Sequence, residues 1–472
     1  MAGCHAFFIT GEKFMEKLKM RQILSLTFTL FAIFFGAGNM IFPPAMGQVA
    51  GEHYLQALAG FILTDAGIAL LGIIAVVLVG NKIMDLGDLV SRRFSLCLSI
   101  TVYLLIGPLF ALPRTGSVSY ELAVRSYVPQ EYEWLASLLV TAVFFALTYY
   151  LSGNPGKVVD IIGKYMTPIL IVSIVLLYLA CLFLDKSQHA LQYGAIGQAQ
   201  GEYREIAFFK GMIEGYNALD GPAGPVFAII IIHAITGFQV KERKNVVKYT
   251  VISGIGAVLI LSIIYYMLTY IGATTHTIFE NGGALLHGVA SDLLGPVGGL
   301  VLGASVFLAC MTTSIGLTTS FADYFHELLP SVSYRKITAA VCLFSFAVSN
   351  VGLSYLIAVS QPVLMMIYPA LIVLILLSFV RKWIGDRKMV YILSMIGAFC
   401  FAFLNAMDNI GITFGLFTEW ARKLPLYELH LGWMLPAVCG AVTGFLPIWK
   451  KHRKPSMDRN KINLVDCGAK NE

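Results

Sequence analysis

Charge is scarce in this chain. Only 13% of its 472 residues are Asp, Glu, Lys or Arg, against about 25% in a typical soluble domain, while 57% are hydrophobic and the mean hydropathy is +0.76. The motifs of common soluble chemistry are also missing. There is no H-E-x-x-H, no Walker loop and no G-x-S-x-G, which leaves no metal, nucleotide or nucleophile signature on which to build an enzyme. The eight cysteines, Cys4, Cys97, Cys181, Cys310, Cys342, Cys400, Cys439 and Cys467, include no C-x-x-C pair. Six lie in or beside apolar segments, where a thiol packs as a small hydrophobe. A secretory cleavage site after the first apolar segment is absent as well, so that segment reads as a retained span.

What the chain has in abundance is long apolar runs along its whole length. Twelve spans are expected, at 22–50, 54–80, 95–124, 134–151, 158–184, 207–235, 246–272, 296–322, 337–351, 353–380, 389–407 and 430–449, most near the ~20 residues that cross a bilayer. The basic residues set the orientation. With an odd-numbered first span leaving the inside, 26 of the 33 Lys and Arg fall in inward loops and tails, as the positive-inside rule requires. This places both termini in the cytoplasm. It also accounts for the net charge of +6 without a nucleic-acid partner. The run Lys450–Pro455 reads as an inside anchor.

Two spans are interrupted. In span 1, FFGAGNMIFPPAMG (34–47) combines Gly36, Gly38, Asn39, Pro43 and Pro44, which oppose an uninterrupted helical ladder. Span 6 carries EGYNALDGPAGP (214–225), with three glycines, two prolines and the polar Glu214, Asn217 and Asp220. Irregular backbone is tolerated at membrane depth only where protein or a water-lined cavity satisfies it. Breaks at corresponding positions of two halves point to the binding site of an inverted-repeat transporter. Spans 1–5 and 6–10 would be the repeats, and their odd number makes the second run opposite to the first. The expected organisation is an extension at 1–20, a first repeat at 21–185, an inverted repeat at 205–380, two added helices at 388–450 and a basic tail at 451–472. A half-helix N-terminus favours a carboxylate and a half-helix C-terminus favours an ammonium or Na⁺. An amino acid moving with a cation fits both ends.

Span 8 adds LACMTTSIGLTTS (308–320), unusually rich in hydroxyls. These either bond back to their own helix or serve as hard oxygen ligands for a small cation. Asp65, Arg114, Glu214 and Asp220 are costly in hydrocarbon and should face the protein interior or water. They are candidates for gating, for structural pairing or for carrying a coupling proton. Phe35, Met40, Phe110, Tyr216 and Leu317 are candidates to line an apolar substrate pocket.

With LFAIFFGAGNMIFPPAMG in span 1, IGPLFALPRTGSVSYELAV in span 3, EGYNALD in span 6 and LSYLIAVSQPVLMMIYPALIVLILL in span 10, the chain resembles the bacterial branched-chain amino acid carrier family. The likeness runs from about residue 20 to 450. It implies an all-α polytopic membrane protein with the LeuT-like 5+5 inverted repeat and broken helices 1 and 6. It further implies import of leucine, isoleucine and valine by symport with a cation, usually Na⁺; an H⁺-coupled carrier is the alternative, and a channel or a transporter-like sensor lies behind that. No cofactor is implied beyond the coupling ion. By position, the backbone amides of Gly36, Ala37 and Gly38 would hold the substrate carboxylate, and the Asn39 side-chain oxygen would face a Na⁺ beside it. Thr312 and Thr313 hydroxyls, with the carbonyls of Ala32, Phe35 and Ala309, would form a second Na⁺ site. Span 6 departs from the sodium-coupled prototypes residue by residue, so a single Na⁺ between spans 1 and 8 is the expectation.

Overall fold

The computed structural model describes residues 17–153, 155–184, 189–240, 242–385 and 387–446, with side chains omitted for 155–167. Residues 1–16 of the expected extension, and the whole tail from 451, lie outside them. Helices α1 (Met20–Phe34) and α2 (Ala37–Ala50) occupy the first expected span, and α3 (Tyr54–Ile62) and α4 (Ile68–Val79) the second. After the short α5 (Ile83–Gly87) come α6 (Arg92–Leu104) and α7 (Ala111–Ala123), then α8 (Glu133–Ser152) and α9 (Pro155–Phe183). The second half repeats the plan with α10 (Tyr203–Ala218), α11 (Asp220–Gly237), α12 (Arg243–Ala273), α13 (Gly282–Leu293), α14 (Gly295–Leu328), α15 (Tyr334–Ser349) and α16 (Leu353–Phe379). The chain closes with α17 (Arg381–Ile384), α18 (Lys388–Asn409), α19 (Leu416–Arg422) and α20 (Met434–Gly444). Among the described residues there is no strand beyond an isolated Tyr193–Thr275 bridge.

Among the described residues, eight helical segments are long and apolar enough to cross a bilayer, and α1, the described part of α9 and α20 are shorter apolar helices beside them. The helices are arranged inside out. On α12, Ile252, Ile255, Leu259 and Ile263 form an exposed stripe at helical spacing, while Ser253, Ala257, Leu261 and Tyr265 are buried. Apolar side chains thus face the surrounding lipid, and the ionisable Asp65, Arg114 and Asp220 sit in the interior.

The packing is reciprocal between the halves. α12 lies against α1 and α2, α3 against α10, α4 against α11, α7 against α14 and α8 against α15. Each interrupted span therefore pairs with the second span of the other half. Close approach needs glycine: a Cβ on Gly211 would stand 1.9 Å from the Ala57 carbonyl oxygen, and one on Gly272 2.0 Å from that of Pro44.

The breaks are narrower than the sequence pattern suggests. In span 1 the helix is lost only at Phe35 (φ −75°, ψ 85°) and Gly36 (φ −115°, ψ −166°). Pro43 and Pro44 lie inside α2, because a proline ring already holds a helical φ. What they remove is the amide return to the carbonyls of Asn39 and Met40. In span 6 the break is the single residue Leu219, in the left-handed region at φ 75° and ψ 4°. Pro222 falls in the first turn of α11, where no amide partner is needed.

Two further irregularities were not expected. Span 3 is kinked through a π turn at Leu105–Leu109, with Gly107 at φ −90° and ψ −123° followed by Pro108. Span 2 carries a π turn at Leu63–Gly67 that contains Asp65. Such single-turn bulges re-aim side chains and recur at functional sites.

Candidate functional site

The two breaks meet. A Cβ on Gly38 would stand 2.8 Å from the Ala218 carbonyl oxygen, so the first turn of α2 abuts the last turn of α10. In an uninterrupted helix the Gly36 amide would return to Ala32; here it donates to Asn39 Oδ1 at 3.1 Å. The opening amides of α2 therefore have no intrahelical acceptor and carry the positive end of its dipole. Across the gap, α10 ends in carbonyls, and one of them, that of Asn217, accepts from Arg114 Nη1.

Asn39 joins this break to two acids. Its Nδ2 donates to Asp220 Oδ2 at 2.7 Å and to Asp65 Oδ2 at 3.4 Å, and also meets the Tyr265 hydroxyl. Tyr265 in turn donates to Asp65 Oδ2 at 2.7 Å. All four side chains are buried, and Asp65 Oδ1 has no partner among the described residues. One amide and one phenol from α2 and α12 thus serve carboxyls from span 2 and α11. The bond to the Gly36 amide fixes which end of the Asn39 amide faces the acids: the NH₂, with the oxygen turned back to its own helix.

The four ionisable candidates divide into two groups. Asp65 and Asp220 share Asn39. Arg114 and Glu214 meet at Asn217, whose carbonyl takes the guanidinium and whose Nδ2 donates to Glu214 Oε2 at 3.1 Å. Arg114 Nη2 also donates to Ser360 Oγ at 3.2 Å, and its guanidinium lies 5.1 Å from the centre of the Phe42 ring.

A cavity of about 40 Å³ lies at the junction. Gly36 to Asn39 and Ala218 to Asp220 form two of its walls, Arg114 and Thr313 add polar groups, and Ile106, Phe227 and Leu317 supply apolar surface. It is well below the ~150 Å³ that accommodates benzene. A branched side chain therefore enters only if the surrounding helices part.

Thr313 reaches this junction from α14, its Oγ1 3.5 Å from where a Gly36 Cβ would be. Thr312 and Thr313 hydroxyls both donate to the Ala309 carbonyl, at 2.7 and 3.2 Å. A hydroxyl that gives its proton to its own helix keeps its lone pairs free to accept. Thr313 comes to the break from α14, Ala32 lies on α1 just before it, and Phe35 sits in the break itself.

Among the apolar candidates, Leu317 lines the cavity. Phe35 is buried and stacks on Phe31 with ring centres 5.2 Å apart, Tyr216 packs on Tyr368 at 4.4 Å, and Met40 and Phe110 are buried in the core. Tyr265 and Leu219 were missed from the sequence. A tyrosine in an aromatic-rich span and a leucine in an apolar one carry no pattern that separates them from packing residues. The Ile106–Gly107–Pro108 kink did leave a signal, a Gly-Pro pair within a span.

The architecture has solved counterparts. MhsT, solved in complex with L-phenylalanine, aligns with a TM-score of 0.53 at 14% identity, covering 89% of this chain and 97% of that one. Mhp1, a nucleobase-cation-symport-1 family transporter solved in a closed conformation with bromovinylhydantoin bound, aligns with a TM-score of 0.57 at 12% identity, covering 89% and 91%. The fold is that of the LeuT-like transporters.

Sequence comparison narrows the class. The family model described as branched-chain amino acid transport protein matches residues 19–451. Branched-chain amino acid permease BraB of Bacillus subtilis (strain 168) is 40% identical over 435 residues, covering 91% of this chain and 96% of that protein. Permease BrnQ of the same strain is 37% identical, with 91% and 98% covered, and BrnQ of Escherichia coli (strain K12) 34%, with 92% and 97% covered. The chain belongs to the branched-chain amino acid transport protein family.

Proposed function

We propose that this protein imports leucine, isoleucine and valine across the bacterial inner membrane by symport with a cation, Na⁺ in the first instance, through alternating access, with both termini in the cytoplasm. The observation that carries the reading is the meeting of the α2 N-terminus with the α10 C-terminus beside an apolar-walled cavity. Unpaired amides on one side suit a carboxylate, and carbonyls on the other suit an ammonium. The three substrates differ by about one methylene, worth only ~1–3 kcal/mol in an apolar pocket, so one site accepts all three. A second cavity of about 620 Å³ lies further along α7, lined by Ser117, Glu121, Arg125 and Glu280. In the proposed orientation it faces outward and gives substrate an approach. Arg125, bonded to Glu121 at 2.7 Å and to Glu280 at 3.0 Å, stands in its wall.

Na⁺ is assigned to the oxygens of Thr312, Thr313, Ala309, Ala32 and Phe35. The H⁺ alternative is favoured by one observation, the buried Asp65–Asp220 pair with a single shared amide. Leucine uptake into proteoliposomes, with Na⁺ and pH gradients imposed separately, decides between them. Accumulation with the Na⁺ gradient alone is expected, and accumulation with the pH gradient alone would reject the Na⁺ assignment. Thr313→Ala removes one hydroxyl ligand and is expected to raise the Na⁺ concentration for half-maximal uptake by about tenfold, the equivalent of ~1.4 kcal/mol. An unchanged Na⁺ activation curve in that variant would argue against the site.

A further inference from the structure

The cavity wall contains a guanidinium and a carboxyl group that are not paired with each other. Arg114 is 2% exposed, and its described partners are neutral: the Asn217 carbonyl, the Ser360 hydroxyl and the Phe42 ring. Its Nε is buried without a partner. Asp220 is 8% exposed, and its side-chain partners are the neutral Asn39 amide and the neighbouring carboxyl of Asp65, so no cation faces it among the described residues. A guanidinium or carboxylate taken out of water without an opposite charge is costly, and the cost is recovered when a counter-charge with good geometry arrives. The break in span 6 arranges both groups. Asn217, on one side of the left-handed Leu219, supplies the carbonyl that holds Arg114, and Asp220 opens α11 on the other side. Ile106, Phe227 and Leu317 supply the apolar surface of the same cavity.

We propose that Arg114 and Asp220 are the side chains that recognise the two charges of the substrate, Arg114 the carboxylate and Asp220 the ammonium. The ligand class is then a free α-amino acid zwitterion with an uncharged side chain. This rests on the carrier reading above and adds side-chain charges to its backbone amides and carbonyls. A guanidinium presents a fork of N–H donors matched to a carboxylate, and Nε is the nitrogen with no described partner. The substrate ammonium in turn brings a positive charge to the Asp220–Asp65 pair, which Asn39 and Tyr265 serve only with neutral donors. A ligand with one charge leaves the opposite group of the wall buried and unmatched, and binds poorly for that reason.

The test is competition against labelled L-leucine on purified protein at fixed pH and Na⁺. The competitors are 4-methylpentanoate, which lacks the ammonium, and 3-methylbutylamine, which lacks the carboxylate. Wild-type protein is expected to bind each at least about 100-fold more weakly than leucine. Arg114→Gln should bring leucine and the amine to within about tenfold of each other while leaving the gap to the acid unchanged. Asp220→Asn should do the converse, and Arg114→Lys, which keeps the charge but loses the fork, should retain most of the wild-type gap to the amine. The ratio of affinities is the readout, because a merely structural role would weaken all ligands together. Unchanged ratios in Arg114→Gln and Asp220→Asn, with leucine simply weaker, would overturn the proposal, as would equal behaviour of the Lys and Gln variants. If Asp220→Asn does not fold, the two Arg114 variants decide alone. Wild-type protein that binds no leucine rejects the carrier reading beneath the proposal, whereas leucine binding with no discrimination against the analogues rejects this inference alone.

Discussion

Gly38→Val is expected to abolish measurable leucine binding in a protein that still inserts into the membrane. The Cβ alone would stand 2.8 Å from the Ala218 carbonyl oxygen and 3.1 Å from its Cα. Both are backbone atoms at the end of α10, so no rotamer change relieves the contact. Overpacking of a tight site costs about 1–3 kcal/mol, and here the strain falls on the one place where the two half-helices must keep their spacing. A loss of affinity of about 100-fold or more follows from ~2.7 kcal/mol. Valine is more apolar than glycine and does not weaken the hydropathy that drives insertion, so expression and gel-filtration behaviour should be retained. Gly38→Ala, which adds only the Cβ, should lie between the two. Equilibrium binding of labelled leucine to monodisperse variant protein checks the series, and wild-type affinity in Gly38→Val would remove the close junction from the mechanism.

Asn39→Asp is the second large effect. The substitution is nearly isosteric and preserves an acceptor for the Gly36 amide. It removes the NH₂ that Asp65 and Asp220 share and sets a third carboxyl beside them. An uncompensated buried charge costs about 3–5 kcal/mol, whereas Asn39→Ala loses hydrogen bonds at ~1–3 kcal/mol for each group left unsatisfied. The Asp variant is therefore expected to melt below the Ala variant in detergent, and both below wild type. Lowering the pH should narrow the difference, because a protonated carboxyl again offers a donor toward the pair. A thermal-stability series across pH measures this. Equal stability of Asn39→Asp and wild type at neutral pH would mean that Asn39 does not hold the acids together.

These two positions show how unevenly the site is written in the sequence. Gly38 and Asn39 stand out because glycine and asparagine are conspicuous in an apolar helix. Arg114, Glu214, Asp65 and Asp220 stand out for the same reason, since a charge at membrane depth needs an internal explanation. Their partners do not. Tyr265 lies 200 residues from Asp65 and donates to its Oδ2, yet nothing about one tyrosine among several in α12 marks it. Leu219 is the whole of the span 6 break, while the sequence points to the glycines and prolines around it. Those residues weaken a helix, but where a helix yields depends on what packs against each turn. The prolines of span 1 make the same point: Pro43 and Pro44 sit inside α2, and the chain turns at Phe35 and Gly36 instead.

By itself the sequence determined the environment and the broad plan. Scarce charge, repeated apolar runs and the bias of Lys and Arg follow from transfer free energies that act residue by residue, so they are legible without a fold. The paired interruptions announced two weak points in two halves for the same reason. Only the tertiary structure decided that these points touch, that Asn39 turns its NH₂ to two acids and its oxygen to Gly36, and that Arg114 leaves those acids to one another and lies against the end of α10. Those are distances between residues far apart in the chain, set by how helices from opposite halves pack together, and no local property of any residue encodes them.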